Sequence, residues 1–509
     1  MTLVQQESTQ LRRVRTTAIG WLSVTGACVT TLVIHALFLR RALGPDEGGF
    51  SVVARYWGHS GHYLYGPLWV DRPPGLLLVF DIANRLGPYG VRVLAAVTAM
   101  VIVLGVSRAA RTIAGEGAAR WAAWTAAAFA SSAAIQANQL NGELIGAALL
   151  SLSCAAVLAA LHSQPVAAGG LGAVAGALAG GAVFVKQNLL DAVVFAGVLL
   201  VATLLARRWT PSASATGVGL VGGGAAVLAL AARWAVAHGG VAALAFAMYG
   251  FRARATDVMG AWSWTAPERR FWLLLLLAVG TLLVPVAVSA ASPVRPRLRR
   301  LTPVGWAILA TSAFELVSMI AGFNFWPHYL ISFIPMVAIA AGVAASRAGR
   351  GARRTRVLVT AAIVGTAVLA VSVAAFMGSG RAWETGRWVG ESSRPSDTIV
   401  VAYSHPNVAQ ASGLRPGYPY LWSLPARTLD PQLTLMTSAL EGPTRATWFV
   451  RWDRYHNWGF DGHRQVGRAL FAGYRRVGTV CGHQVWLRDD ATRYIAPIPS
   501  PARCVGRAV

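Results

Sequence analysis

Acidic side chains are scarce in this sequence, 20 of 509 residues against 45 basic ones. Three of them fall in one short stretch: Pro45-Asp46-Glu47, then Asp71-Arg72-Pro73-Pro74-Gly75. A positioned carboxylate can remove a proton in a transition state, typically for about 10²–10⁴-fold in rate. An arginine presents a planar donor fork that matches phosphate oxygens, and a Pro-Pro corner fixes the backbone beside it. Both motifs flank apolar runs, where charge is costly to hold and marks a site by default. Plainer readings stay open. Asp46 and Glu47 suit a helix start, and Asp71 with Arg72 could be a surface pair before a helix whose first turn holds proline.

Other polar residues stand out by rarity or place. Lys186 is the only lysine of the chain; beside Gln187 at a span end it suits a phosphate, or it reaches the interface by snorkelling. Glu143, with Asn138 and Asn141, could bond sugar hydroxyls or satisfy one another. His328 is a phosphate-ligand candidate or an interfacial packing residue, with Tyr329 next to it. The aromatic residues at 56, 57, 63, 65 and 69 suit an interfacial belt, and Tyr65 is among those able to stack on a sugar. No His/Cys cluster has structural-zinc spacing. No cofactor is implied with certainty, although Asp46, Glu47 and Asp71 could hold a divalent cation.

These residues must be positioned by membrane helices. The chain is 55% hydrophobic and 13% charged, and apolar runs able to cross about 30 Å of hydrocarbon recur from residue 17 to 377. Its net charge of +25 does not point to nucleic acid, because the arginines before residue 380 cluster in short segments between apolar runs. With those clusters (Arg12 to Arg15, Arg108 to Arg120, Arg207-Arg208, Arg295 to Arg300, Arg347 to Arg356) placed in the cytoplasm, about eleven spans follow: 17–38, 91–107, 121–137, 143–161, 169–186, 189–206, 217–236, 271–291, 302–321, 328–345 and 357–377. The first is an uncleaved anchor, the N-terminus is cytoplasmic, and Arg40-Arg41 violate the charge rule. Segment 74–87 reads as an interfacial helix. Asp46, Glu47, Asp71, Arg72, Asn138, Asn141, Glu143, Lys186, Gln187, Arg252, Arg254, Asp257, Asn324, His328 and Tyr329 then fall on the outer side.

The expected organisation is a membrane domain over 1–378, with its first outer loop at about 39–90, and a soluble extracytoplasmic α/β domain over 379–509. In the latter, 397–403, 446–452 and 483–487 read as strands, and 431–440 and 463–472 as helices. Cys481 and Cys504 could pair in an oxidising compartment; Cys28 and Cys154 lie within spans. Ala/Gly-rich tracts at 118–135, 166–182 and 216–232 suit close helix packing.

The first outer loop resembles that of the lipid-linked-sugar glycosyltransferases of the GT-C fold, within them the family of the protein O-mannosyltransferases and the aminoarabinose transferases acting on lipid A. The matching residues are Pro45-Asp46-Glu47, Ala54-Arg55, Leu64-Tyr65, Asp71-Arg72-Pro73-Pro74-Gly75 and Arg92, with His328-Tyr329-Leu330 and Pro335 later in the chain. Arg72 replaces the family's Lys or His, Gly75 its Leu, and Gly49 the arginine of the aminoarabinose enzymes. The resemblance implies an inverting transfer from a polyprenyl-phosphate sugar to an extracytoplasmic hydroxyl of a glycan, lipid or protein. It makes Asp46 the general base with Glu47 beside it, and gives the donor phosphate to cations among Arg72, Arg55, Lys186 and His328. Asp71, Glu143, Asn141, Gln187, Tyr329 and Tyr65 would line the substrates, in a bacterial plasma membrane. Arginine-for-lysine bias suggests a GC-rich genome, and an actinobacterial envelope would make arabinose or mannose the leading donor. A sugar or lipid transporter, or a non-catalytic scaffold, are the competing classes. A transporter would need charge or broken helices near the midplane.

Overall fold

The computed structural model describes residues 24–260, 265–291, 301–376, 378–453 and 464–505. The start of the first expected span and the basic clusters Arg12 to Arg15 and Arg295 to Arg300 lie outside them. The chain forms two compact units. One comprises Met1–Leu39, Arg92–Ala231 and Trp264–Ser372; the other comprises Arg40–Val91, Ala232–Ser263 and Val373–Val509.

The first unit is helical, because a helix satisfies its own backbone groups where water is absent. Seven helices among the described residues are long and apolar enough to cross a membrane, or eight if one bent pair counts as a span. The chain is a multi-pass membrane protein. Val24–Ala36 and Asp191–Leu205 are shorter apolar helices within two further expected spans. Expected span 91–107 and most of 121–137 fall in two helices within Gly90–Ala130, which meet at a break at Ala114 and Gly115, where Gly115 has φ 78°, a conformation that glycine takes cheaply. Expected span 271–291 is two helices, Thr265–Gly280 and Leu283–Ala291, bent by 63°. Pro285 explains the break: in an unbroken helix its ring would strike the carbonyl four residues back.

Glycine governs packing in this unit. A Cβ added at Gly176 would run into the carbonyl oxygen of Leu220, and one at Gly223 into that of Ala173. Helices Pro165–Val185 and Pro211–Ala237 therefore touch backbone to backbone. Gly342 makes the same approach to Ala118, a Cβ there lying 2.6 Å from its carbonyl oxygen.

The second unit contains a five-stranded sheet of β1 (Thr398–Ala402), β2 (Arg415–Pro416), β3 (Trp448–Arg451), β4 (Tyr474–Val480) and β5 (His483–Arg488), in the order β2-β1-β3-β5-β4. β1 runs parallel to β2 and β3, while β5 runs antiparallel to β3 and β4. The β4–β5 turn places Cys481 and Gly482 at φ 49° and 89°, the mirror-image turn whose twist suits a two-residue hairpin. Cys481 is bonded to Cys504; Cys28 and Cys154 are buried free thiols. Thr434–Glu441 and Gln465–Gly473 are helices.

The sheet core reaches into distant sequence. Trp69, Phe251 and Ala255 join Val400, Tyr403, Tyr420 and Phe449 in one buried cluster, and the Trp69 N–H donates to the Pro419 carbonyl at 3.1 Å. Arg41 has a local explanation too. Its guanidinium donates to the carbonyls of Val373 and Ala374, acceptors that a helix leaves open at its C-terminal end, and to that of Gly378 just beyond the helix.

Gly176→Val is expected to lower the stability of the detergent-purified chain by about 1–3 kcal/mol, the usual cost of overpacking. Gly170→Val, where a Cβ meets nothing within 4 Å, is the control. Equal melting of the two variants would refute the glycine contact.

Candidate functional site

Helix Pro45–Tyr56 starts on proline, with both acids in its first turn. Their fates differ. Glu47 turns inward, fully buried, and its Oε2 accepts the Gly44 N–H at 3.0 Å, so it caps its own helix. Asp46 stays partly exposed, and its Oδ1 accepts the indole N–H of Trp422 at 2.9 Å. Its other oxygen has no protein partner among the described residues. The same indole packs on Phe50 at 5.1 Å between ring centroids.

Two glycines make this possible. A Cβ at Gly48 would lie 2.6 Å from Asn407 Cα, and one at Gly49 would run into the Trp422 ring and lie 2.7 Å from Pro406 Cγ. Glycine at 49 is thus required by the residue that holds Asp46. The Asn407 amide completes the contact by donating to the Leu43 carbonyl at 3.0 Å.

Asp71 forms the second centre of this unit. Its Oδ1 pairs with Arg72 Nη1 at 2.7 Å and its Oδ2 with Arg252 Nη2. The Tyr65 hydroxyl donates to the Arg72 carbonyl at 2.6 Å, and the Arg72 guanidinium lies over the Phe50 ring at 5.7 Å. Phe251, adjoining Arg252, is fully buried and lies 4.5 Å from the Trp69 ring. The same two segments frame a cavity of about 310 Å³ lined by Tyr63, Tyr65, Trp69, Phe246, Arg254 and Tyr420, among others. Arg55 stands apart, exposed in the last turn of its helix. No group of three His, Cys, Asp or Glu suited to a metal occurs among the described residues.

A further polar cluster lies just past the C-terminal ends of β1 and β3. Ser404 Oγ is 3.0 Å from His405 Nδ1 and donates to Asp453 Oδ2 at 3.3 Å. His405 and His483 stack on Trp452 at 4.5 and 3.6 Å. Burial lowers the His405 pKa to about 4 and raises that of Asp453. The carboxylate bonds the serine instead of orienting the imidazole, so this is not a nucleophile relay.

The helical unit holds its own centre. Lys186 pairs with Glu143 and lies 5.0 Å from the Tyr329 ring centroid. His328 Nδ1 is 3.0 Å from Gln136 Oε1, and its Nε2 is 3.8 Å from Glu143. Asn141 caps helix Gly142–Ala160, its Oδ1 accepting the Leu144 N–H at 2.8 Å. Arg92 donates to the Asn138 carbonyl at 3.0 Å. Gln187 is partly buried next to Lys186. Asp191 and Glu315, both buried in apolar helices, are neighbours. Sequence reasoning did not single out Trp422, Gln136 or this carboxyl pair. It placed Arg252 on the outer side without a role, and only the doublet Arg252, Arg254 beside Phe251 marked it.

No protein-family model matches the sequence, nor does any curated protein. Among solved structures, ArnT from Cupriavidus metallidurans in the apo state aligns over 92% of this chain and 98% of its own, at 16% identity and a TM-score of 0.62. The same protein bound to undecaprenyl phosphate gives 0.61 over the same shares. The apo oligosaccharyltransferase of Archaeoglobus fulgidus aligns over 84% of this chain and 69% of its own, at 13% identity and a TM-score of 0.54. The chain has the GT-C fold of these two transferases.

Proposed function

We propose that this chain is an integral-membrane glycosyltransferase that moves a sugar from a polyprenyl-phosphate donor to a hydroxyl acceptor. The observation that carries the reading is the Asp46 carboxylate, partly exposed and held at one oxygen by Trp422. A second support is the arginine pair on Asp71 in the same unit. The third is a fold shared with ArnT, whose structure was determined bound to undecaprenyl phosphate.

In the proposed reaction, Asp46 takes the proton of the acceptor hydroxyl as its oxygen attacks the anomeric carbon. The bond from that carbon to the phosphate oxygen breaks, and the polyprenyl phosphate leaves with the electron pair. One displacement inverts the anomeric centre. Arg72 stabilises the charge growing on the phosphate, the kind of preorganised electrostatics that is usually the largest catalytic term. Trp422 leaves one Asp46 oxygen for the incoming proton and fixes its direction. Glu47 serves as the helix cap that sets the turn carrying Asp46. We place the N-terminus in the cytoplasm of a plasma membrane, the α/β unit outside, and arabinose and mannose first among donors.

The test is a transfer assay in membranes carrying the full chain, with radiolabelled polyprenyl-phosphate arabinose and mannose. Asp46→Asn is expected to reduce transfer by about 10²–10⁴-fold; transfer equal to wild type would remove Asp46 from its role. Trp422→Phe keeps the contact with Phe50 but deletes the N–H donor. A hydrogen bond to a charged group contributes about 1.5–3 kcal/mol, so kcat should drop roughly tenfold or more with the donor KM little changed. A raised KM at constant kcat would assign Trp422 to donor binding instead.

A further inference from the structure

We propose that the carboxyl ends of β1 and β3 form a carbohydrate-binding site, built on Ser404, His405 and Asp453, and that it receives a neutral glycan as the acceptor of the transfer. The role as acceptor site rests on the glycosyltransferase reading; the polar groups and their chemistry do not. Strand order places the site. β1 is followed by helix Asn407–Ser412, which packs with Ile399, Trp448 and Val450 on one face of the sheet. β3 is followed by helix Gln465–Gly473, which packs with Val400, Ala402 and Phe449 on the other. The chain therefore leaves two adjacent parallel strands toward opposite faces. The crevice at such a switch point is where open α/β sheets bind ligands.

The same strand ends are tied to the turn that carries Asp46. The Ala402 carbonyl accepts the backbone N–H groups of Trp452 and Asp453 at 2.8 and 3.0 Å, which joins β1 to β3 at this edge. Ser404 and His405 both have φ 56°, a left-handed backbone uncommon outside glycine. Pro406 and Asn407 come next. They are the residues against which Gly49 and Gly48 pack, and the Asn407 amide bonds the Leu43 carbonyl. Two residues past His405, the chain thus touches the start of the Asp46 helix.

Proton counting gives the ligand class. The Ser404 hydroxyl has one proton, which it donates to Asp453 Oδ2. In its 3.0 Å contact with that hydroxyl, His405 Nδ1 must therefore be the donor. Burial lowers the His405 pKa to about 4, so the imidazole is neutral near neutral pH and its Nε2 is left as an acceptor. Neither Nε2 nor the second Asp453 oxygen has a protein partner among the described residues, and all three side chains are partly exposed. No arginine or lysine is bonded to them there. A site that offers acceptors and no cation disfavours phosphates and carboxylates, and it takes hydroxyl protons from its ligand. A sugar supplies several at once. The competing account is a structural brace across the strand ends, which needs no ligand.

The measurement is the dissociation constant of the detergent-purified full chain for mannobiose and arabinobiose, with digalacturonate and diglucosamine as charged counterparts. Undecaprenyl phosphate serves in parallel as the donor-site probe. Wild type is expected to bind a neutral disaccharide more tightly than either charged one. Asp453→Asn should weaken that binding by about tenfold or more. His405→Phe keeps a ring on Trp452 but deletes Nε2, and should weaken it several-fold. Both variants should bind undecaprenyl phosphate as wild type does. Disaccharide affinity unchanged in both variants overturns the inference, and so does a preference for digalacturonate or diglucosamine. Loss of disaccharide and undecaprenyl phosphate together in both variants assigns the cluster to bracing and also overturns it. A wild type that binds undecaprenyl phosphate but neither neutral disaccharide overturns it and spares the transferase reading. Binding of none of them removes both.

Discussion

The unit that carries the sheet depends on one apolar anchor, Trp69. Its indole is buried among residues of the sheet, its backbone N–H donates to the Pro419 carbonyl, and Phe251 packs on its ring. Truncating a buried aromatic of this size typically costs about 3–5 kcal/mol, several times the worth of a partly exposed ion pair. Apolar burial, and not the charged contacts, therefore holds residues 40–91 and 232–263 to the C-terminal segment. The polar centres follow from it. Asp46 meets Trp422, and Asp71 meets Arg252, because the segments carrying them share one core.

Clearance is the second constraint. Helix Pro45–Tyr56 can approach Pro406, Asn407 and Trp422 only where it carries no side chain, at Gly48 and Gly49. Side-chain bulk there would separate Asp46 from its indole donor without touching either residue. The helical unit uses the same device, in the backbone contact between Gly176 and Leu220. In both units glycine sets distance, and distance sets which polar groups can meet.

These constraints explain what the sequence reveals and what it hides. Apolar spans such as 143–161 and 302–321 are legible because crossing hydrocarbon demands length and apolarity, both local properties. The break before Pro285 was legible in principle, since proline forbids an unbroken helix there. The break between spans 91–107 and 121–137 was legible as a basic segment containing Gly115. Strand β4 was missed because Tyr-Arg-Arg-Val-Gly-Thr-Val is polar on one face and its pairing shifts register between Arg476 and Gly478. At the site, Asp46 and Arg72 could be picked out because their chemistry is written in a local motif. Their partners Trp422 and Arg252 could not, because tertiary packing alone brings them near. Asp191 and Glu315 lie buried in apolar helices, where no local motif marks them.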